Sequence, residues 1–311
     1  MLFLSESDVR RLLPMREAIG YLRTAFEAWS ANEAQNQPRR RLILPTGAVL
    51  HSMAGACGRY FGTKIYSTHA KHGAHFHFML YDAETARPLA LFEANWLGQI
   101  RTGAATGLAT DLLARTDART LALIGTGFQA RSQMEAVLAV RPIEQVRVWS
   151  RKPENRRAFV EKYERSGTRI VDADSAEAAV RGAEVVTTMT NARDPVIEAA
   201  WIAPGAHVNA AGSNVASRRE LPSDLVEAAA MIVADSVEQA RIEAGDLLLS
   251  LGPGDWGDRV VELRTLPRRR SKDDVTIFKS VGLGLEDVAV AGPVYEKALK
   301  EGAGIEIPVN G

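Results

Sequence analysis

The spacing of apolar residues changes near the middle of the chain, close to residue 118. Before that point Ile19, Leu22 and Phe26 recur at helical spacing, which predicts a helix over residues 15–31. Short apolar runs then follow one another without helices between them, and this order predicts an antiparallel or mixed sheet. We expect its strands at residues 41–44, 49–53, 62–68, 75–81 and 88–94, followed by a helix at 98–114.

After residue 118 the apolar runs no longer alternate with polar residues, and helical stretches separate them. Strands that are buried on both faces and joined by helices are typical of a parallel sheet. We expect strands at residues 120–124, 146–149, 170–171, 185–189, 207–211, 231–234 and 275–279, and helices at 130–140, 153–165 and 285–299. Residues 246–258, which contain Gly252-Pro253-Gly254, are predicted to form a loop.

A glycine-rich turn joins the first of these strands to the helix after it, with the sequence Gly125-Thr126-Gly127-Phe128-Gln129-Ala130. In a dinucleotide-binding turn the first glycine permits the tight bend, the second lets the backbone approach the pyrophosphate, and a small third residue allows helix and strand to pack closely. The amino end of the helix then offers N–H groups to the phosphates. The alternative is a structural glycine turn that binds no nucleotide. We expect NAD or NADP to contact Gly125, Gly127, Phe128, Gln129 and Ala130.

The predicted fold class is therefore α/β, with a Rossmann doubly wound parallel sheet and a second α+β domain for substrate and dimerisation. We assign residues 117–284 to the cofactor domain and residues 1–116 with 285–311 to the second domain.

The second strand of the cofactor domain ends in Ser150-Arg151-Lys152, where an NAD-specific domain usually has a carboxylate for the ribose 2′-hydroxyl. A serine and two cations suit a 2′-phosphate, which favours NADP. If Arg151 and Lys152 only form a solvated helix start, NAD remains possible.

Composition excludes several classes of protein. Hydrophobic residues make up 46% of the chain, and 38 basic residues match 38 acidic ones, so we expect neither nucleic acid nor a membrane surface as a partner. The single cysteine, Cys57, excludes an intramolecular disulfide. The first residues lack the cationic start and apolar stretch of a signal peptide, and we expect a soluble cytoplasmic protein.

Four histidines, at positions 69, 72, 75 and 77, raise the possibility of a metal site. No cysteine or carboxylate lies within the cluster, so we expect no metal there and interpret the histidines as polar lining of a pocket or a dimer surface.

Taken together, the motifs resemble those of the ornithine cyclodeaminase/mu-crystallin family over essentially the whole chain. The matching segments are residues 41–45 (RLILP), 62–64 (GTK), 100–106 (IRTGAAT), 125–130, 204–209 (PGAHVN), 219–221 (REL) and 278–282 (FKSVG). The resemblance implies a Rossmann domain, a separate domain that binds substrate and forms a homodimer, and a small amino or imino acid as substrate.

The resemblance also implies site residues. Arg41, Lys64 and Arg101 would bind the substrate, whose carboxylate an arginine can hold with two parallel hydrogen bonds. Lys64 would also be catalytic, because burial can move its pKa into the range for proton transfer. Further cofactor contacts are expected at Thr102, Thr188, Met189, Thr190, Ser280 and Gly282.

One position departs from the cyclodeaminases of this family, in which an aspartate serves as general base. Alignment on Arg219-Glu220-Leu221 puts Asn214 there. An amide cannot accept and return a proton at neutral pH, so we expect Asn214 to orient substrate or nicotinamide.

The sequence thus predicts an NAD(P)-dependent oxidoreductase that reduces an imino acid or interconverts a small amino acid and its keto acid. Two alternatives stay open: an ammonia-releasing ornithine or lysine cyclodeaminase that recycles its NAD, and a non-catalytic NADPH-binding protein.

Overall fold

The computed structural model describes residues 1–164 and 167–308. Residue 165, the last of the predicted helix 153–165, lies outside the described residues, as do the last three residues of the predicted segment 285–311. The chain divides into two compact units, Met1–Ala104 with Gly282–Gly311, and Ala105–Val281. The sequence places these divisions at 116/117 and 284/285 instead. The first division of the structure falls inside a continuous helix, which no change of hydrophobic period marks.

Fifteen strands are described. They are β1 (Leu2–Leu4), β2 (Ala34–Ile43), β3 (Val49–Cys57), β4 (Tyr60–His69), β5 (Gly73–Asp82), β6 (Pro88–Glu93), β7 (Thr120–Ile124), β8 (Gln145–Trp149), β9 (Arg169–Asp172), β10 (Val185–Thr188), β11 (His207–Ala210), β12 (Met231–Ala234), β13 (Val260–Glu262), β14 (Thr276–Lys279) and β15 (Ile305–Glu306).

Eleven α-helices are described. They are α1 (Glu6–Leu12), α2 (Met15–Ser30), α3 (Asn95–Leu113), α4 (Ala130–Val140), α5 (Pro153–Tyr163), α6 (Ala176–Val180), α7 (Ser223–Ala228), α8 (Val237–Glu243), α9 (Gly245–Leu248), α10 (Trp256–Arg259) and α11 (Gly284–Glu301). None of the helices in the described part of the chain combines the length and the apolar character that crossing a bilayer requires.

The first unit contains a mixed seven-stranded sheet in the order β15-β1-β6-β5-β4-β3-β2. Strands β1 and β6 are parallel and the other neighbouring pairs are antiparallel. Met53, Lys64 and Phe78 lie opposite one another on β3, β4 and β5, and all three are buried. Residues directly opposite in a ladder share a face, so Lys64 belongs to the inner face of this sheet.

The second unit contains eight strands in the order β13-β12-β14-β11-β10-β7-β8-β9, and every neighbouring pair is parallel. One core contains Leu121 of β7 with Val137 of α4 and Phe159 of α5. A second core contains Ile124 of β7 with Val180 of α6. Side chains alternate between the two faces along a strand, so Leu121 and Ile124, which are three residues apart, point to opposite faces of the sheet. The sheet therefore has helices on both sides. The doubly wound α/β fold is confirmed.

The predicted helices and strands are found in the structure, with a few corrections. Strand β2 starts seven residues earlier than expected and passes Pro38 through an irregularity between Gln37 and Arg40. The region 246–258, predicted to be a loop, contains parts of α9 and α10, because Leu247 and Trp256 are buried in the core. The short strands β1, β13 and β15 were not predicted, since two or three residues carry no measurable period.

Candidate active site

The turn after β7 has a conformation that only glycine adopts easily. Gly125 has φ +113°, and a Cβ at this position would overlap the carbonyl oxygen of Met189. Its backbone N–H donates to the carbonyl of Trp149 over 2.7 Å. The glycine therefore brings three strand ends together, those of β7, β8 and β10.

The other small residues of the turn have different surroundings. Ala130 is fully buried in the core between α4 and the sheet, and its N–H donates to the carbonyl of Gly127. Gly127 is exposed, and a Cβ there would meet no protein atom within 4 Å. The absence of a side chain at Gly127 thus leaves open space for a ligand, as a diphosphate requires.

A cavity of about 1000 Å³ lies at this turn, where the strand order of the sheet reverses between β7 and β10. Ligands of open parallel sheets bind at such a point, beyond the carboxyl ends of the strands. Nine of the predicted cofactor residues line it: Gly125, Gly127, Phe128, Gln129, Ser150, Arg151, Lys152, Met189 and Thr190. The turn and its cavity fit a dinucleotide.

Other predicted cofactor residues lie elsewhere. Ala130 and Thr188 are buried and do not line the cavity, and Ser280 donates to Asp235 at the end of β14. Thr102 and Gly282 belong to the first unit. The Oγ1 of Thr102 donates to the carbonyl of Gly98, and a Cβ on Gly282 would lie 2.5 Å from Nη1 of Arg101.

Sequence reasoning missed part of the cavity wall. Trp149, Asn155 and the loop of residues 191–198 after β10 also line it. The position of that loop directly after a buried strand was the available signal, because all parallel strands end at the same edge.

The end of β8 presents polar and cationic groups to the cavity. Ser150 accepts a 3.1 Å hydrogen bond from Thr126, and Arg151 and Lys152 are exposed. The carboxylate of Asp172, at the end of β9, accepts a 2.6 Å hydrogen bond from Nε of Arg156. The groups at the end of β8 itself thus suit an anion.

A buried chain of charged groups supports the loop after β10. Glu220 accepts hydrogen bonds from the backbone N–H groups of Thr190 and Gly212, over 2.6 and 2.8 Å. Asp246 accepts from the N–H of Glu220 and pairs with Nζ of Lys279 at 2.7 Å. Burial, and then the charge of Asp246, raises the pKa of Glu220. Lys279 also donates to the carbonyl of Ser213, the residue before half-buried Asn214.

In the first unit, Lys64 and Arg101 meet on two carboxylates of α11. Lys64 Nζ lies 2.9 and 2.8 Å from the two oxygens of Asp287. Nε of Arg101 donates to Asp287 over 3.1 Å, and its Nη1 donates to Glu286 over 2.7 Å. None of the four side chains is more than 7% exposed.

Burial, followed by the like charge of Arg101, lowers the pKa of Lys64 to about 8, although Asp287 acts in the opposite direction. Burial alone would lower the pKa of Arg101, but Asp287 and Glu286 raise it above its ordinary value. Lys64 is therefore mainly protonated at neutral pH and can release a proton more readily than an exposed lysine.

Arg41 lies on the same sheet face as Lys64. It is paired in the ladder with His51, which shares a face with Met53 and hence with Lys64. Arg40 points to the opposite face with its partner Ser52. The sequence missed Arg39, which is buried at the irregularity of β2 and donates to the carbonyl of Gly282 over 3.2 Å.

His51 adds a neutral polar group to this face. Burial, followed by the charges of Arg39 and Arg41, lowers the pKa of His51 to about 4. The imidazole stacks on Tyr66 at 4.2 Å between ring centroids. At neutral pH His51 therefore leaves the positive charge of this region to the arginines and Lys64.

A family model described as the ornithine cyclodeaminase/mu-crystallin family matches residues 1–302. The chain belongs to the ornithine cyclodeaminase/mu-crystallin family. It is 36% identical over 325 residues to the Δ1-pyrroline-2-carboxylate reductase of Bacillus cereus, an alignment that covers 99% of each chain.

Solved structures of similar proteins agree with this assignment. The Δ1-pyrroline-2-carboxylate reductase of Thermococcus litoralis, in complex with NADH and L-proline, is 33% identical with a TM-score of 0.94, covering 99% of this chain and 100% of that one. An archaeal alanine dehydrogenase dimer with bound NAD is 31% identical with a TM-score of 0.91, covering 99% of each chain. The predicted family, and the prediction of an NAD(P)-dependent oxidoreductase within it, are confirmed.

Proposed function

We propose that this family member is an NADPH-preferring reductase of a cyclic imino acid, with Δ1-pyrroline-2-carboxylate as the first substrate to test. Reduction adds a hydride to the imine carbon and a proton to its nitrogen, which yields the cyclic amino acid. Whole-length similarity to two Δ1-pyrroline-2-carboxylate reductases supports this substrate class.

The observation that carries the proposal is the grouping of cationic side chains at the inner sheet face of the first unit. Lys64 and Arg101 are buried together at Asp287, and Arg41 lies on the same sheet face as Lys64. An arginine fork suits the geometry of the substrate carboxylate, which it can hold with two parallel hydrogen bonds. We assign substrate binding to Arg41, Lys64 and Arg101.

NADP is the proposed cofactor, with NAD as the alternative. Gly125, Gly127 and the start of α4 would hold the diphosphate, and Ser150, Arg151 and Lys152 would hold a 2′-phosphate. Met189 and Thr190 would line the remainder of the dinucleotide site. The bound cofactor supplies the hydride; the protein supplies orientation and a proton.

Lys64 is the proposed proton donor to the imine nitrogen. Its pKa of about 8 leaves the ammonium form populated at neutral pH while weakening its hold on the proton. Asn214, at the position of the cyclodeaminase aspartate, would orient substrate or nicotinamide by hydrogen bonds.

A substrate panel tests the proposal. Purified protein is incubated with NADPH or NADH and with Δ1-pyrroline-2-carboxylate, other cyclic imino acids, iminosuccinate, or pyruvate with ammonia or methylamine. We expect the highest kcat/KM for a cyclic imino acid with NADPH. Ammonia release from ornithine without net cofactor consumption would instead identify a cyclodeaminase. Tight NADPH binding with no turnover across the panel would identify a non-catalytic binding protein.

We further propose a homodimer in the cytoplasm. Leu42, Leu50 and Ile65 lie on the sheet face opposite to Lys64, and they are 60%, 45% and 46% exposed. Apolar side chains grouped on one face suit an interface between copies. Leu50→Lys should shift the sedimentation equilibrium toward monomer. Ile242→Lys, at a 53% exposed position of the second unit, is the matched control.

A further inference from the structure

The start of α11 lies directly on the backbone of β3. A Cβ on Gly284 would lie 2.5 Å from the carbonyl oxygen of Ala54, and a Cβ on Gly55 would lie 2.5 Å from the N–H nitrogen of Leu285. No side chain fits between the two segments, so glycine at both positions allows them to touch. The first turn of α11 is therefore fixed relative to the inner sheet face.

This fixed turn delivers two adjacent carboxylates to the cations of the sheet face. Asp287 contacts both Lys64, from β4, and Arg101, from α3. Glu286 contacts Arg101 and accepts from the backbone N–H of Leu283, which starts the helix. Asp287 is thus the carboxylate that joins the two proposed substrate-binding cations.

We propose that Asp287 is a positioning residue for the imino-acid reduction. It keeps Lys64 protonated and holds the Lys64 ammonium in a fixed position beside Arg101. The inference rests on the proposed function for its kinetic consequence, but its effect on Lys64 is independent of any substrate.

The charged and titratable groups around Lys64 define what Asp287 must do. Arg101 from α3 and Arg39 from β2 both disfavour the ammonium form, as burial does. The Tyr66 ring lies 5.9 Å from Nζ on the same strand. Asp287 from α11 opposes the two arginines and the burial. Removing its charge leaves a buried amine beside like charges, so the amine should lose its proton at a lower pH.

Glu286 provides a matched comparison within the same helical turn. It is as buried as Asp287 and pairs with Arg101, but Lys64 pairs with Asp287. Glu286→Gln removes one buried negative charge, as Asp287→Asn does. If only total charge or helix stability mattered, the two variants would behave alike.

The direct test follows Lys64 by NMR of protein labelled with 13C at the lysine Cε. The chain has eight lysines, and Lys64→Arg assigns the signal. We expect Asp287→Asn to lower the pKa of Lys64 by about one unit or more, and Glu286→Gln to change it by less than about half of that. An unchanged Lys64 pKa in Asp287→Asn, or equal shifts in both variants, would overturn the proposal.

Kinetics give the second measurement. The alkaline limb of kcat/KM should follow Lys64 and move to lower pH in Asp287→Asn, but not in Glu286→Gln. If Asp287→Asn does not fold, Asp287→Glu can be used instead, because it keeps the negative charge and displaces it by one methylene. For Asp287→Glu we expect kcat to fall about tenfold while KM stays within about threefold of the wild-type value. An unchanged kcat would overturn the proposal. If the wild type reduces no imino acid, the proposed function fails, while the NMR titration still decides the role of Asp287.

Discussion

The α-carbon of Gly125 faces the carbonyl oxygen of Met189, and there is no space between them for a side chain. Two residues later, Gly127 faces open space. The two glycines of one turn thus have different reasons to be glycine: Gly125 serves the contact between β7 and β10, and Gly127 leaves room for a ligand.

Substitution can distinguish the structural role of Gly125 from the ligand-binding role proposed for Gly127. Gly125→Ala should lower the free energy of unfolding by about 2 kcal/mol or more, because the new Cβ meets backbone at a positive φ. Gly127→Ala should change it by less than about 0.5 kcal/mol while weakening NADPH binding about tenfold or more. Urea unfolding and fluorescence titration with NADPH measure the two effects. Equal loss of stability in both variants would contradict the different roles of the two glycines.

We propose that the cations at the end of β8 set the cofactor preference. We expect the double variant Arg151→Ala, Lys152→Ala to raise the Kd of NADPH about 10- to 100-fold and the Kd of NADH less than about threefold. Arg157→Ala, an exposed position of α5 outside the cavity lining, is the control. Equal weakening of both cofactors would show that these residues do not select the 2′-phosphate.

The sequence predicted the cofactor domain better than the first unit. Its strands are uniform apolar runs separated by amphipathic helices, so local pattern and fold agree. The cavity wall at residues 191–198 was missed, although it follows a buried strand, because its irregular backbone carries no hydrophobic period. The N–H of Val196 in this loop donates to the carbonyl of Glu220, which is distant in sequence.

The proposed substrate-binding cluster of charged residues was predicted only in part, for a different reason. Lys64 and Arg101 were named through resemblance, but Asp287 carries no motif that links it to a lysine 223 residues away. Arg39 was missed because three consecutive arginines look alike until the irregularity of β2 sets which of them face inward.

Arg40 and Arg41 offer a matched pair for the substrate site. They are adjacent on β2 and point to opposite faces of the sheet. Arg41→Ala should raise the KM for the imino acid about 10- to 100-fold, since it would remove a charge-assisted contact to the carboxylate. Arg40→Ala should leave KM within about threefold. A larger effect at Arg40, measured by steady-state kinetics, would reverse the assignment of the faces.

The buried side chain of His207 should make the folded protein less stable in acid. It is fully buried between Thr276 and Asn209, and burial lowers its pKa to about 3 from an ordinary value of 6.5. The neutral ring is retained in the folded protein, whereas the unfolded chain takes up a proton below pH 6.5. The stability from this group is therefore complete above pH 6.5 and is lost as the pH falls toward 3.

Between pH 6.5 and 5 the loss from His207 should be up to about 2 kcal/mol. Urea unfolding at several pH values measures it, and His207→Gln, which cannot titrate, should show a shallower pH dependence. Identical slopes for wild type and variant would assign the acid sensitivity to other groups, such as His51.

The proposed reductase activity can be tested by following the hydride from NADPH to the product. NADPH deuterated at C4 on its transferable face is incubated with the protein and Δ1-pyrroline-2-carboxylate, and the product is analysed by mass spectrometry. We expect one equivalent of proline labelled at Cα for each NADPH consumed. If a preparation that binds NADPH forms no labelled proline and consumes no NADPH, the proposed reduction is contradicted.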